Sequence, residues 1–154
     1  MLRNIINSGA RTTEIYKIGA DAKRGTLMVK NLTTKVAGKA SGVGVEAYLL
    51  DFDSQPMGHL ANVDISQYDD SMDIVKAGYA VLVKYGVGEQ FATDQVDTTV
   101  AINAGDYLVA GTSANAGKFV KGTTGVSVFK YAGTIADGSK TLYLIEVVEP
   151  KTIA

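Results

Sequence analysis

Short runs of aliphatic, β-branched and aromatic residues, separated by glycine-containing turns, recur along most of this chain. In the run 79–85 the odd-numbered side chains are apolar or aromatic and fall on one face of an extended strand, because side chains alternate with a period of two. In the run 141–149, the residues between Thr141 and Glu149 are apolar on both faces apart from Glu146, which is typical of a central strand. Short strands at close spacing predict an all-β fold, either a barrel or a sandwich.

The same pattern predicts the remaining strands and the core. Further strands are expected at 25–31, 45–52, 100–102, 107–109, 118–120 and 126–135. Ala-Gly pairs beside the runs predict tight turns at 37–38, 77–78, 104–105, 116–117 and 132–133. The core is predicted to contain Leu49, Val81, Val83, Tyr143, Ile145 and Val147. Helical spacing of apolar residues occurs only at 66–75, where a short helix or a structured loop is expected.

The length of 154 residues corresponds to one ordinary domain, which is large enough to bury a core without disulfides or metals. We assign 20–154 to a single β domain. Residues 1–19 show little core-forming periodicity and are predicted to form an extended N-terminal arm. Residues 1–40 carry eight basic and two acidic side chains, whereas residues 41–110 carry two basic and eleven acidic ones. This asymmetry indicates either two solvated surfaces or a basic segment that docks on an acidic partner.

The residue types argue against catalysis and bound cofactors. There is no cysteine and one histidine, His59, so neither a thiolate site nor a cluster of imidazoles can form. The acidic stretch 64–73 lacks the glycine bend and terminal glutamate of a calcium loop, and is interpreted as solvated carboxylates. Aromatic residues are nearly absent from the basic first 40 residues, so a single-strand nucleic-acid groove is not expected. We predict no enzyme activity, no metal and no cofactor.

Two glycine motifs resemble nucleotide-binding sequences but depart from them. The sequence 42–47 fits G-x-G-x-x-A, yet a strand rather than a helix is expected to follow it. The sequence 111–119 has five residues between its glycines instead of four, and Phe119 stands where a metal-binding hydroxyl belongs. Both are interpreted as turns. The absence of cysteine and of a secretory signal fits a protein made in a reducing cytosol, and no apolar run has membrane-spanning length.

Several segments together resemble the capsid decoration proteins of tailed bacteriophages, which are also called cement or head-stabilising proteins. The segments are 76–83, 88–94, 104–109, 117–120, 132–135 and 142–148. They include an Ala-Gly-Asp strand, a Gly-Lys hairpin and an aliphatic final strand, and the resemblance extends over roughly residues 25–149. The connection 54–74 is longer than is usual in that family.

The resemblance implies a small β-barrel or β-tulip-like domain that is commonly trimeric. Such a protein binds the major capsid protein on the outside of the virion, at subunit junctions, and stabilises the head against packaged DNA. It would be made in the cytoplasm of a bacterial host and would contact neither nucleic acid nor membrane. Alternatives are another virion part, such as a tail, neck or fibre module, and a small ligand- or carbohydrate-binding β domain; an enzyme ranks last.

The predicted arm supplies the predicted contacts with the capsid. It carries three basic residues against the single acidic residue Glu14, and it offers small apolar anchors. Such a segment has too little apolar surface to fold alone and would become ordered on its partner, for example by β-addition to an exposed strand edge. The predicted contact residues are Leu2, Arg3, Ile5, Ile6, Arg11, Ile15, Tyr16 and Lys17.

Overall fold

The computed structural model describes residues 1–53 and 74–153, in which all regular elements are strands apart from one 3-10 helix, Ser113–Asn115. The strands are β1 (Leu2–Ile6), β2 (Thr12–Ile18), β3 (Ala22–Lys23), β4 (Leu27–Asn31), β5 (Val36–Lys39), β6 (Tyr48–Asp53), β7 (Ile74–Val75), β8 (Gly78–Lys84), β9 (Gln90–Thr93), β10 (Tyr107–Ala110), β11 (Phe119–Lys121), β12 (Gly125–Asp137) and β13 (Lys140–Ile153). The predicted all-β fold is confirmed. No helix in these residues is long and apolar enough to cross a membrane.

Five strands close into a small barrel, in the order β2-β5-β4-β6-β8 around the ring. Neighbouring strands are antiparallel, except that β2 runs parallel to β5. Each barrel strand contributes at least one buried side chain to an apolar cluster, and the short ribbon β3–β7 contributes two more. The buried members are Ile18, Ala22, Met28, Ala37, Leu50, Val75, Ala80 and Leu82. Because these side chains fill it, the middle of the barrel is a packed core.

The remaining strands form a six-stranded antiparallel sheet in the order β1-β9-β13-β12-β10-β11. Strand β13 lies between β9 and β12, as its apolar character on both faces predicts. The sheet packs against the outer face of the barrel, and side chains from both layers form the main core. The barrel contributes Leu27, Leu49 and Val83, and the sheet contributes Phe91, Phe119, Phe129 and Ile145. The rings of Phe119 and Phe129 meet edge to face, with centroids 5.1 Å apart, a favourable aromatic geometry.

The predicted core is confirmed at four of its six positions. Leu49, Val83, Ile145 and Val147 are buried, whereas Val81 and Tyr143 are only partly buried and pack at the margin of the main core. The predicted strand 100–102 is wrong. The segment lies between two turns that aspartate side chains stabilise. Asp97 accepts a hydrogen bond from the backbone N–H of Thr99, and Asp106 accepts one from the backbone N–H of Asn103.

Some predictions fall on residues that the structure does not describe. His59, the acidic stretch 64–73 and most of the long connection 54–74 lie outside the described residues. The same holds for positions 66–73 of the predicted helix, and its last two residues, Ile74–Val75, form strand β7.

Residues 1–19 do not form the predicted arm but contribute a strand to each layer. Strand β1 pairs with β9, and β2 lies between β5 and β8 in the barrel. Leu2 and Ile18 are buried, and the amino group of Met1 lies 2.5 Å from Oδ1 of Asp94. The prediction fails because these strands bury few side chains, so their local apolar pattern is weak. Backbone hydrogen bonds to distant strands hold them in place. The predicted boundary at 19/20 therefore lies inside the fold.

Candidate interaction surface

Four of the eight predicted contact residues have exposed side chains, namely Ile5, Ile6, Ile15 and Lys17. Two others face the interior. Leu2 is buried in the main core, and Tyr16 packs against the apolar cluster inside the barrel. Neither side chain can provide a major contact surface while β1 and β2 remain paired within the fold.

The last two predicted contact residues are basic and pair within the chain. Arg3 Nε lies 2.7 Å from Oδ2 of Asp137, which ties β1 to the tip of the β12–β13 hairpin. Arg11 Nη2 lies 3.7 Å from Oε1 of Glu89. Both guanidinium groups therefore contribute to the fold, which leaves Lys17 as the exposed basic residue of the predicted set.

Ile5 and Ile6 lie on β1, an edge strand of the six-stranded sheet. The pairing of β1 with β9 shifts register between Asn4 and Ile6, which marks a β-bulge. A bulge interrupts the row of backbone groups that another strand would pair with, and natural edge strands use this device to prevent unwanted pairing. The predicted β-addition at this segment is therefore limited to the few residues that precede the bulge.

A more continuous exposed surface lies where β2 pairs with β8 on the outside of the barrel. Ile15 pairs with Val81, and Lys17 pairs with Tyr79, so these four side chains are neighbours on one face. Ile15 is 62% exposed and Tyr79 is 67% exposed, while Val81 is half-buried against the main core. We call Ile15, Lys17, Tyr79 and Val81 the β2–β8 stripe.

A buried cluster of polar groups fixes the segment that joins β1 to β2. The Glu89 carboxylate is completely buried and accepts hydrogen bonds from the backbone N–H groups of Ser8 and Gly86. The Arg11 guanidinium lies 4.6 Å from the centre of the Tyr85 ring, and the Tyr85 hydroxyl donates a hydrogen bond to Oδ1 of Asn4. Nε and Nη2 of Arg11 are buried and have no hydrogen-bond partner within residues 1–53 and 74–153. The charge of Arg11 is therefore balanced mainly by Glu89 and the aromatic face.

This cluster predicts a drop in stability in strong alkali. Burial raises the pKa of Tyr85 to about 12, and the nearby charge of Arg11 partly opposes the rise. An unfolded tyrosine titrates near about pH 10, so between about pH 10 and pH 12 the unfolded chain loses a proton that the folded chain keeps, and stability falls as the pH rises. We expect a late phenolate component in the ultraviolet titration that Tyr85→Phe removes. An unchanged titration curve in this variant would contradict the assignment.

The described residues contain no candidate metal centre, and the two glycine motifs lie in structural positions. No group of three or more histidine, cysteine, aspartate or glutamate side chains in them could hold a metal ion. The two glycine motifs have structural roles. A Cβ on Gly44 would collide with the backbone of Val126 and with Ser127, so glycine allows these segments to approach closely. In the second motif the 3-10 helix has only three residues, and Phe119 is a buried core residue.

Comparison of the chain with family models, with curated proteins and with solved structures found no match in any of the three.

Sequence reasoning placed Ile15 and Lys17 at the surface but missed their partners on β8. The alternation along the run 79–85 places Tyr79 and Val81 on the same strand face as Val83, and only Val81 and Val83 of these are predicted in the core. The sequence pattern shows that one face of β8 is apolar but not how much of it another layer covers. In the structure the main core covers Val83 fully, Val81 in part and Tyr79 hardly at all.

Proposed function

We propose that the chain is a non-enzymatic structural protein of a virus particle, a decoration protein that binds the major capsid protein on the outside of the head. The observation that carries this proposal is the β2–β8 stripe, which exposes an isoleucine and a tyrosine at diagonal positions on the outside of the barrel. Aromatic side chains are enriched at protein interfaces, because they bury a large area with little loss of conformational freedom.

The charge near the stripe suits an acidic partner surface. Lys17 is exposed beside Tyr79, and it forms no ion pair in the part of the chain that the structure describes. Its ammonium group would steer the stripe toward an acidic capsid face and make binding weaken with salt. This contact replaces the arm as the proposed means of attachment, because β1 and β2 are integral strands.

The stripe is small, and repetition compensates for a weak individual contact. A homotrimer at a subunit junction would present three stripes at once, so the second and third contacts would form at a high effective concentration. A trimer on the capsid exterior, assembled after synthesis in the host cytoplasm, is therefore the arrangement we propose.

Co-sedimentation with purified capsids tests the proposal. Capsids of the virus that encodes the chain, stripped of this protein, are mixed with the recombinant chain and separated on a density gradient. We expect the wild-type protein to migrate with the capsids. The double variant Ile15→Thr/Tyr79→Thr should bind at least about tenfold more weakly, because it removes the apolar anchors and keeps residues suited to strands.

Leu32→Thr provides the matched control. Leu32 is 68% exposed but lies outside the stripe, just after β4, so this variant should bind like the wild type. Circular dichroism establishes that all variants are folded. Wild-type protein that stays at the top of the gradient would overturn the proposed function. Undiminished binding by the double variant would overturn the stripe as its contact surface.

A further inference from the structure

The barrel is apolar in its middle but charged and aromatic at one end. Alternation along β2 places Glu14 and Tyr16 on the same face as the buried Ile18. Alternation along β4 likewise places Lys30 on the same face as the buried Met28. Two further residues, the first of β6 and the last of β8, complete the group. We call Glu14, Tyr16, Lys30, Tyr48 and Lys84 the charged barrel end.

Lys30 is held at the centre of the charged barrel end. Its Nζ lies 2.6 Å from Oε1 of Glu14, 4.4 Å from the centre of the Tyr48 ring and 5.4 Å from the centre of the Tyr16 ring. Hydrogen bonds to Glu14 and Tyr48 raise the pKa of Lys30, so its ammonium form persists. One carboxylate and two aromatic faces thus fix this cation and neutralise it.

Lys84 adds a second cation, which no residue that the structure describes neutralises. Its Nζ lies 5.8 Å from the centre of the Tyr48 ring, its side chain is exposed, and among the described residues it forms no ion pair. Two ammonium groups and one carboxylate leave the charged barrel end with a net charge of +1. One more negative group beside Lys84 would therefore bring the charged barrel end to a net charge of zero.

A groove with a volume of about 790 Å³ opens along the β4–β5 hairpin next to Lys30. Its lining includes Lys30 and Lys39, the polar Asn31 and Thr34, and apolar side chains such as Val36, and none of its described lining residues carries a carboxylate. The volume falls within the range of ligand-binding clefts. The groove is open and follows a hairpin of four register pairs, which suits an extended chain of about four residues.

We infer that the charged barrel end and this groove form a binding site for an acidic peptide segment. One carboxylate of the segment pairs with Lys84 beside Tyr48, and the backbone continues along the hairpin past Lys39. This site is distinct from the β2–β8 stripe, because Glu14 and Tyr16 point inward where Ile15 and Lys17 point outward. The inference holds whether or not the chain decorates a capsid.

The charges favour a peptide over a nucleic acid or a sulfated glycan. Those polymers carry a negative group on almost every unit and are bound by dense sets of basic side chains. The charged barrel end contains no arginine and keeps a carboxylate, Glu14, that repels closely spaced phosphates or sulfates. A peptide with one or two carboxylates matches its single unneutralised cation.

Fluorescence anisotropy with a labelled octapeptide that contains two glutamates tests the inference on the full chain. The matched probe has glutamine at both positions. We expect the glutamate peptide to bind and the glutamine peptide to bind at least about fivefold more weakly. Lys84→Gln should weaken binding of the glutamate peptide by a similar factor. Lys140→Gln, a change at an exposed lysine where β13 begins, should leave binding unchanged.

Other outcomes would overturn the site. These are equal affinity for the two peptides, an equal loss in both lysine variants, or no binding of the glutamate peptide at about millimolar concentration. Tighter binding of a single-stranded oligonucleotide or a heparin oligosaccharide, lost in Lys84→Gln, would overturn the peptide assignment. None of these results depends on capsid binding, so failure here is distinguishable from failure of the proposed function.

Discussion

Replacing Glu89 with alanine will destabilise the protein by about 3–5 kcal/mol, because it removes one partner of a buried charged cluster. Glu89 is 0% exposed, and its carboxylate accepts hydrogen bonds from Ser8 and Gly86. Without it, two backbone N–H groups and the Arg11 guanidinium, which lies 3.7 Å away, lose their negative partner. Urea unfolding followed by circular dichroism measures the effect, since the chain has no tryptophan for fluorescence.

A surface ion pair serves as the control. Arg3 and Asp137 are 35% and 36% exposed, so Asp137→Ala should cost less than about 1 kcal/mol. The double variant Arg11→Met/Glu89→Gln should be more stable than Glu89→Ala, because it leaves no unbalanced charge in the interior. If Glu89→Ala cost no more than Asp137→Ala, the buried cluster would not stabilise the fold as we describe.

Truncating Ile145 to alanine will cost about 2–5 kcal/mol, because the site is completely buried and cannot collapse fully around the cavity that remains. Ile145 is 0% exposed, and strand β13 holds it between Phe91 on β9 and Tyr131 on β12. Each kcal/mol lowers the melting temperature of a domain of this size by about 2–4 °C, so thermal unfolding detects the change readily.

Val100→Ala is the matched truncation at the surface. Val100 is exposed and lies outside the strands, so its loss should stay within about 0.5 kcal/mol. A melting temperature that Ile145→Ala leaves unchanged would place β13 outside the main core.

The sequence predicted the strands with the longest apolar runs. β8, β12 and β13 each carry long apolar runs, and all three lie close to where their residues predict them. β1 and β2 were missed as strands, because they bury few side chains and their pairing partners lie far along the chain. At two Ala-Gly pairs the predicted tight turn is wrong. Ala37-Gly38 lies inside β5, and Gly133 lies inside β12, where its φ of 123° serves a register shift rather than a hairpin turn.

The candidate surface could be predicted only in part. Composition identified a basic, isoleucine-containing segment near the amino terminus, but it could not show which of its side chains face outward. Ile15 and Tyr16 are neighbours in sequence, yet one lies on the outside of the barrel and the other faces its interior. A shift of one residue in the pairing of β2 with β8 would exchange them, and that register depends on contacts made far along the chain.

The placement of β1 and β2 in different layers has a consequence for synthesis on the ribosome. All five barrel strands lie between Thr12 and Lys84, so the barrel can close before the second half of the chain has emerged. β1 leaves the ribosome before the barrel strands, but its partner β9 begins only at Gln90, and β9 is itself paired with β13. Pairings of such long sequence separation are slow to form. The residues of β1 are therefore made before those of the barrel but reach their final place after them.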